Sequence, residues 1–352
     1  MGDIYHLRDW TWGIVEGNVS YASKDFGDTA LTSTASVQIP TDHTIEITQG
    51  VNPRRPNRAS GYRQLWHLDA TQDGKGVSPT LSWTGEATKV HLPYILAGLF
   101  QRVDEADTTP YAKIFKWPTS SAVWSSTTFG YPNFSDDDGY FYGFIENSPV
   151  ALRDVGILSC VPTSVTLSID SQAESNRLRF DSSWIGRLLN TGFSATGPTA
   201  YSSRTHFVFD DMTLTIGGTT VLPYGWSVTI EPGFQQQPGG GTSCQDIAMG
   251  PHKVTGYVDI LWDATASAIF NDLQDDSNGY QTLPIAIYWG AGNDPVTTDG
   301  ELRIELNAQF QSTPNQGSEV RIRRLNFECI KDATYEDIEI QIADAVDRTW
   351  QT

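Results

Sequence analysis

Residues able to do chemistry are present in this chain but do not converge on a reaction. The histidines, His6, His43, His67, His91, His206 and His252, are scattered. None takes the His-Glu-x-x-His spacing that puts two imidazoles on one helix face for zinc. No serine occupies a Gly-x-Ser-x-Gly turn, where the hydroxyl would project as a nucleophile. Gly239-Gly240-Gly241 is followed by no lysine and no helix pattern, so it reads as a loop and not as a phosphate cradle. Asp136-Asp137-Asp138-Gly139 suggests calcium. With Gly139 at the sixth place of a calcium loop, the first and twelfth ligands would be Phe134 and Ile145, which cannot ligate. Cys160, Cys244 and Cys329 are far apart and odd in number, which fits neither a local zinc motif nor a disulfide framework. The expectation is no catalytic residue, no metal, no cofactor and no enzyme, with a site assembled only in space as a minor alternative.

Tryptophan is the other residue type that could mark a ligand. The chain has 11, spread from Trp10 to Trp350 with no single platform, and several sit in strand patterns that favour core or subunit contact. A carbohydrate-binding or adhesin-like β module is therefore the alternative reading.

The elements that would position these residues are mostly strands. Val165-Leu167-Ile169, Met212-Leu214-Ile216, Trp226-Val228-Ile230, Leu302-Ile304-Leu306, Leu325-Phe327-Cys329 and Ile338-Ile340-Ile342 alternate with polar neighbours. That period of two belongs to strands with one buried face. Gly217-Gly218 between Ile216 and Val221 predicts a hairpin, and so does the Asp170–Asn176 stretch before Leu178. Two segments read as helices. The first carries Leu92, Ile95, Leu96 and Leu99 on one stripe, with Pro93 in its first turn. The second has Asp263 as N-cap, then Ala266, Ile269, Phe270 and Leu273. Each follows a strand-like stretch, and its one apolar face predicts packing on one side of a sheet. The two begin 172 residues apart in a chain of 352, which suggests one plan used twice.

The predicted organisation is a first β domain over 1–192, a linker over 193–203 and a second β domain over 204–352. The Ser-, Gly- and aromatic-rich stretch 117–142 has no counterpart and reads as an insertion. Two long loops are expected at matching places before the helices, Gln49–Gly61 and Pro232–Pro251. The first holds Asn52, Pro53, Arg54, Arg55 and Arg58, and the second Gln235, Gln236 and Gln237. The net charge of −19 repels nucleic acid and suits either solubility or a wall past which nucleic acid slides. An Arg cluster on so acidic a chain suits an acidic patch on another copy. No apolar run approaches the ~20 residues of a membrane helix. The first residues lack a signal-peptide pattern, so folding in a cytoplasm is expected.

Several stretches resemble the tail tube protein of long, non-contractile phage tails, in a form with the tube domain duplicated. They are Val51-Asn52-Pro53-Arg54-Arg55; Val165–Ile169 with Leu178-Arg179-Phe180 and Ile185-Gly186-Arg187; Phe209–Gly218 with Trp226–Ile230; and Lys253–Ile260. The resemblance implies a β-sandwich or barrel with a flanking helix in each domain. It implies rings of three chains, six similar units around a channel, stacked into a tube that passes double-stranded DNA without binding it specifically. The long loops would meet the next ring. Implied partners are further copies of the chain and the tape measure, tail terminator and tail tip proteins, in a virion assembled in the host cytoplasm.

Overall fold

The computed structural model describes residues 11–17, 37–48, 79–101, 103–105, 111–117, 141–147, 154–171, 173, 175–186, 188–193, 205–237, 246–261, 263, 265–269, 282–292, 294–311, 322–331 and 336–344. The chain is mainly β. Strands β1 (Thr11–Gly17), β2 (Val37–Gln38), β3 (Thr44–Thr48) and β4 (Thr80–Glu86) lead to helix α1 (Leu92–Phe100). Then come β5 (Asp104–Glu105), β6 (Tyr111–Lys116), β7 (Phe141–Asn147), β8 (Asp154–Asp170), β9 (Arg179–Ile185) and β10 (Leu188–Phe193). After a 3-10 turn at Phe209–Asp211 follow β11 (Met212–Ile216), β12 (Thr219–Val221), β13 (Pro223–Glu231), β14 (Phe234–Gln237), β15 (Asp246–Met249) and β16 (Lys253–Leu261). A helical turn at 265–269 precedes β17 (Thr282–Trp289), β18 (Leu302–Phe310), β19 (Ile322–Cys329) and β20 (Ile338–Asp344). Eighteen strands join in one antiparallel sheet, and β14 and β15 form a separate pair.

The strand pattern follows from side chains that alternate between core and surface. In β9, Phe180, Ser182 and Trp184 point inward between exposed Arg179, Asp181 and Ser183. In β13, Trp226, Val228 and Ile230 are buried between half-buried Ser227 and Thr229. The inward residues form one apolar core with those of β17, β18 and β20. Gly217 and Gly218 make the β11–β12 turn at φ 57° and 77°, the left-handed conformations a two-residue hairpin demands.

The pairings recur along the chain. β1 pairs with β2 and β7 as β11 pairs with β12 and β17. β8 pairs with β7, β9 and β10 as β18 pairs with β17, β19 and β20. β4 joins β3 to β9 as β16 joins β13 to β19. Helix α1 follows β4, and the helical turn at 265–269 follows β16. Among the described residues, β5 and β6 of the first set have no counterpart in the second, and β14 and β15 of the second have none in the first. Among the described strands, two pairings cross between the sets. The C-terminal half of β8 pairs with β13, and β6 pairs with β20.

β8 can serve two groups of partners because it breaks register midway. Its N-terminal half pairs with β7 and β10, and its C-terminal half with β9 and β13. The β8–β9 register shifts between Pro162 and Ser164. Proline donates no ladder hydrogen bond and is at home in such a bulge.

Several expectations need correction. The stripe Leu92, Ile95, Leu96 and Leu99 is fully buried, but so is every other residue of α1. The helix rests against β8 and β6 and is also covered beyond the predicted stripe, as a helix without a charged face must be. Gly98 permits this, because a Cβ there would lie 2.9 Å from the Pro162 ring in the β8 bulge. The expected loop Pro232–Pro251 contains the β14–β15 pair, with Gln235 opposite Ala248 and Gln237 opposite Asp246. At the insertion's edges, Trp117 is buried and Tyr142 is a buried residue of β7. Residues 118–140 lie outside the described residues. The expected linker begins inside β10, which runs through Phe193, and 194–203 also lie outside. Asp263 caps the second helical turn as expected, its Oδ1 accepting from the Ala266 N–H at 2.8 Å.

Candidate assembly surface

Seven strands lie side by side in the order β3–β4–β9–β8–β13–β16–β19. Their inner face feeds the core, so their outer face carries whatever the alternation leaves over. Following the register across that face gives one continuous row: Thr44, Thr84, Asp181, Thr166, Thr229, Thr255 and Glu328. The adjacent row is Glu86, Arg179, Ser168, Ser227, Tyr257 and Asn326. β-Branched threonine fits a pleated surface and holds its hydroxyl toward water. The result is a broad hydroxyl face edged with carboxylates.

Of the cations on or beside this face, Arg324, Lys253 and Arg177 have carboxylate partners within the sheet, while Arg179 is exposed. Arg324 forms a bidentate pair with Asp259, Nε to Oδ1 at 2.8 Å and Nη2 to Oδ2 at 2.6 Å. Its guanidinium also lies 3.7 Å from the centre of the Tyr257 ring. The hydrogen bond to Asp259 holds the Arg324 pKa above its ordinary value, against the opposing effect of burial. Lys253 stands 4.0 Å from Glu328, and Arg177, beside the face, is 2.7 Å from Glu86. A surface of hydroxyls and carboxylates, with most of its cations paired, offers phosphates little to hold.

The seven-strand sheet has two margins. Among the described residues no strand lies along the outer edge of β3, and none along the outer edge of β19 over 322–325. Open backbone edges of this kind are templates for pairing with another chain.

Elsewhere the polar groups are structural. His91 is fully buried, with Nε2 donating to the Gln38 carbonyl at 2.9 Å and Nδ1 2.9 Å from the Thr88 hydroxyl. Trp83 donates to Nδ1 of His43 at 3.1 Å, and Ser182 bridges the Trp83 carbonyl and the Trp184 indole. Glu301, 5% exposed, accepts from the backbone N–H groups of Ala291, Thr297 and Thr298 at 2.9–3.0 Å. Burial pushes its carboxyl pKa up, but those donors outweigh it and leave the pKa below its ordinary value. Burial raises the pKa of both Cys160 and Cys329, keeping them as unreactive thiols. Trp83, Trp117, Trp184, Trp226 and Trp289 are all buried, so none of them can stack on a sugar. A groove of about 560 Å³ lies on the outer side of β17 and β18, near Arg303, Glu305, Glu339 and Lys116. Its charges are largely paired with one another: Lys116 with Glu339 at 3.0 Å, and Arg303 with Glu305. Among the described residues no group of three His, Cys, Asp or Glu is placed to hold a metal, and no helix is long and apolar enough to cross a membrane.

The expected ring-contact residues Asn52, Pro53, Arg54, Arg55 and Arg58 lie outside the described residues. Gln235, Gln236 and Gln237 lie in the paired strand β14, away from the hydroxyl face in topology. Arg321, Arg323 and Arg324 stand close together in the sequence; Arg324 is committed to Asp259, while Arg321 lies outside the described residues. Sequence reading missed the hydroxyl face: the polar half of each alternating strand is visible in the sequence, but its alignment into one face needs the strand register.

No family model matches the chain, and no curated protein matches it.

Proposed function

We propose that this chain is a structural protein of a phage tail, built of two tandem tail-tube-like β domains, 1–192 and 204–352. Copies of it assemble into stacked rings around a channel for double-stranded DNA. It performs no catalysis, and its partners are further copies of itself and the other proteins of the tail. The observation that carries this reading is the β8–β13 pairing, a contact between two copies of one plan inside a single chain. The contact is heterologous: the first set offers β8, the second offers β13. Its repetition from chain to chain needs an open edge on β3, the counterpart of β13, and β3 has one among the described residues. The counterpart of β8 in the second set is β18, which meets β19 at the far margin of the same sheet, and that margin is the side from which the next chain continues.

Closure by three chains, each giving the seven strands above, makes about 21 strands. At the usual strand spacing and tilt this is roughly 40–45 Å between opposite backbones, room for a duplex inside the side chains. The hydroxyl face would line that bore. DNA moving past it would meet carboxylates and mostly paired cations, with little to retard it.

The test uses proline at the β3 edge. Backbone N–H groups alternate in direction along a strand, so one of Ile45→Pro and Glu46→Pro removes an outward donor and the other a donor to β4. Electron microscopy of the concentrated parent protein is expected to give hollow rings or tubes. The outward proline should stop this while circular dichroism and melting stay near those of the parent. Polymerisation by both variants as in the parent, or solitary particles from the parent itself, would overturn the reading.

A further inference from the structure

Register sets the two halves residue against residue. Thr44 stands opposite Thr84 as Thr229 stands opposite Thr255, and Gly85 opposite Phe180 as Gly256 opposite Phe327. The matched positions share their residues: Thr44-Ile45-Glu46 repeats as Thr229-Ile230-Glu231, and Thr84-Gly85 as Thr255-Gly256. On this alignment His43 stands where the second half has Val228. Val228 is buried opposite Leu167 in the β8–β13 joint and carries no proton to exchange. His43 leads directly into β3, the strand with the open edge. Its ring fills the space over Gly85, where a Cβ would lie 2.3 Å from it. Trp83, fully buried, donates from Nε1 to His43 Nδ1 at 3.1 Å. An indole nitrogen can only donate, so Nδ1 is unprotonated and the imidazole is neutral.

We infer that His43 is a proton-sensitive latch on β3: neutral, it holds the strand in the sheet, and protonated, it releases the edge on which chains join. This rests on the ring reading above and supplies its regulation. A proton on Nδ1 sets two N–H groups against each other and leaves the Trp83 indole, in the core, without its acceptor. The titratable side chain facing His43 is His91, from the segment that leads into α1. It is fully buried, and the two ring centres lie 5.9 Å apart, so a charge on either ring opposes a charge on the other. The groups facing His43 from β4 and β9, Trp83, Gly85 and Phe180, carry no charge. On its own segment Asp42 and Glu46 are exposed to solvent. Turning into water relieves a protonated His43. Thr44, the next residue, then leaves with it, because β4 is the one strand that β3 pairs with among the described residues. The latch is closed above the range in which an imidazole takes up a proton, about pH 6–7, and opens as pH falls through it. β13, with Val228 in this place and a strand on either side, has no such response. Acid therefore opens the joint between chains and spares the joint within one.

Hydrogen exchange on the dilute full chain tests the latch, read as protection factors at about pH 7.5 and about pH 5.5, either side of the imidazole range. Amides of the β3–β4 ladder should lose about tenfold or more of their protection at the lower pH, while those of the β13–β16 ladder keep theirs. Electron microscopy should show tubes of the parent coming apart over the same interval. His43→Asn keeps an acceptor where Nδ1 stands and takes up no proton, so its β3 protection and its tubes should be the same at both values. Equal β3 protection in the parent at both values, or the parent's response in His43→Asn, overturns the latch. Should His43→Asn fail to fold, the two ladders of the parent decide, and ladders that loosen together overturn it. Parent tubes that persist at the lower pH, while the dilute chain loses β3 protection, overturn the control of assembly. Absence of tubes at both values overturns the ring reading, and the exchange measurement still decides whether His43 holds β3.

Discussion

The hydroxyls of Thr166 in β8 and Thr229 in β13 share a hydrogen bond of 2.9 Å across the strand pair that joins the two halves on the polar face. They stand directly opposite in register, with Asp181 beyond one and Thr255 beyond the other. The pair therefore reports on the joint that the assembly would repeat.

Replacing either threonine by valine keeps the branched shape and removes the hydroxyl. Each single change should cost about 0.5–1 kcal/mol, and the double change less than the sum, because the second removes a group already without its partner. Denaturant unfolding of the four species measures the coupling. Strict additivity would mean that the two hydroxyls do not interact in solution.

Gly256 lies under the Phe327 ring, and a Cβ there would fall 2.3 Å from the Ser227 carbonyl and 2.7 Å from the ring. The obstruction includes backbone, so it cannot rotate away. Gly256→Ala should destabilise by about 2–3 kcal/mol. Gly218→Ala meets no atom within 4 Å and bears only its φ of 77°, so it should cost about 1 kcal/mol. Melting curves that rank the two the other way would remove the steric account.

Strands that bury one face announced themselves in the sequence. Val165-Leu167-Ile169 and Ile338-Ile340-Ile342 are legible because nearest neighbours decide their period. Gly217-Gly218 and Asp263 were legible for the same local reason. β14 was not, since Gln235-Gln236-Gln237 beside Pro238-Gly239-Gly240 carries only Phe234 as an apolar anchor. β6 was hidden because Lys113, fully buried, interrupts the apolar pattern of its strand. The all-round burial of α1 had a signal that the Leu92–Leu99 stripe obscured: no residue from Leu92 to Phe100 carries charge. The row from Thr44 to Glu328 could not be read at all before register was known. It is assembled from seven strands separated by up to hundreds of residues, and a shift of one residue in any strand would remove it.

Glu301 couples the β17–β18 loop to pH. Its carboxyl is held below the ordinary value in the folded chain, so its contribution to stability is present above the unfolded pKa of about 4.5 and is lost as pH falls through the folded one. Glu301→Gln should cost about 2–3 kcal/mol at pH 7, since the amide offers one acceptor where three N–H groups converge. The difference between parent and variant should shrink below pH 4. A difference independent of pH would show that the charge is not what the loop uses.

His91 is expected to tolerate no apolar replacement. His91→Phe fills the space but strips the Thr88 hydroxyl and the Gln38 carbonyl of a buried partner, for about 2–4 kcal/mol. His91→Asn, shorter but polar, should lose less than an apolar residue of its own size, His91→Leu. Equal losses for Asn and Leu in thermal unfolding would assign the position to packing alone.

The neutral character of the hydroxyl face depends on Asp259 more than on any threonine. Asp259 takes the Nε and Nη2 donors of Arg324, and the Tyr257 ring takes its plane, so the guanidinium meets a passing phosphate with its charge already offset by a carboxylate. Asp259→Asn keeps the size of the side chain and removes the charge. Arg324 then retains one neutral acceptor and becomes available to anions, while the face loses a repulsive carboxylate. Assembled Asp259→Asn protein should retain duplex DNA under conditions where the parent does not, and the retention should weaken with salt by a slope near one for each phosphate newly bound. The double variant Asp259→Asn with Arg324→Gln should return to the parent's behaviour, because the cation is gone. DNA retention by the double variant would place the effect elsewhere on the surface. No retention by the single variant, in tubes seen to be open, would show that DNA does not meet this face and that another surface lines the bore.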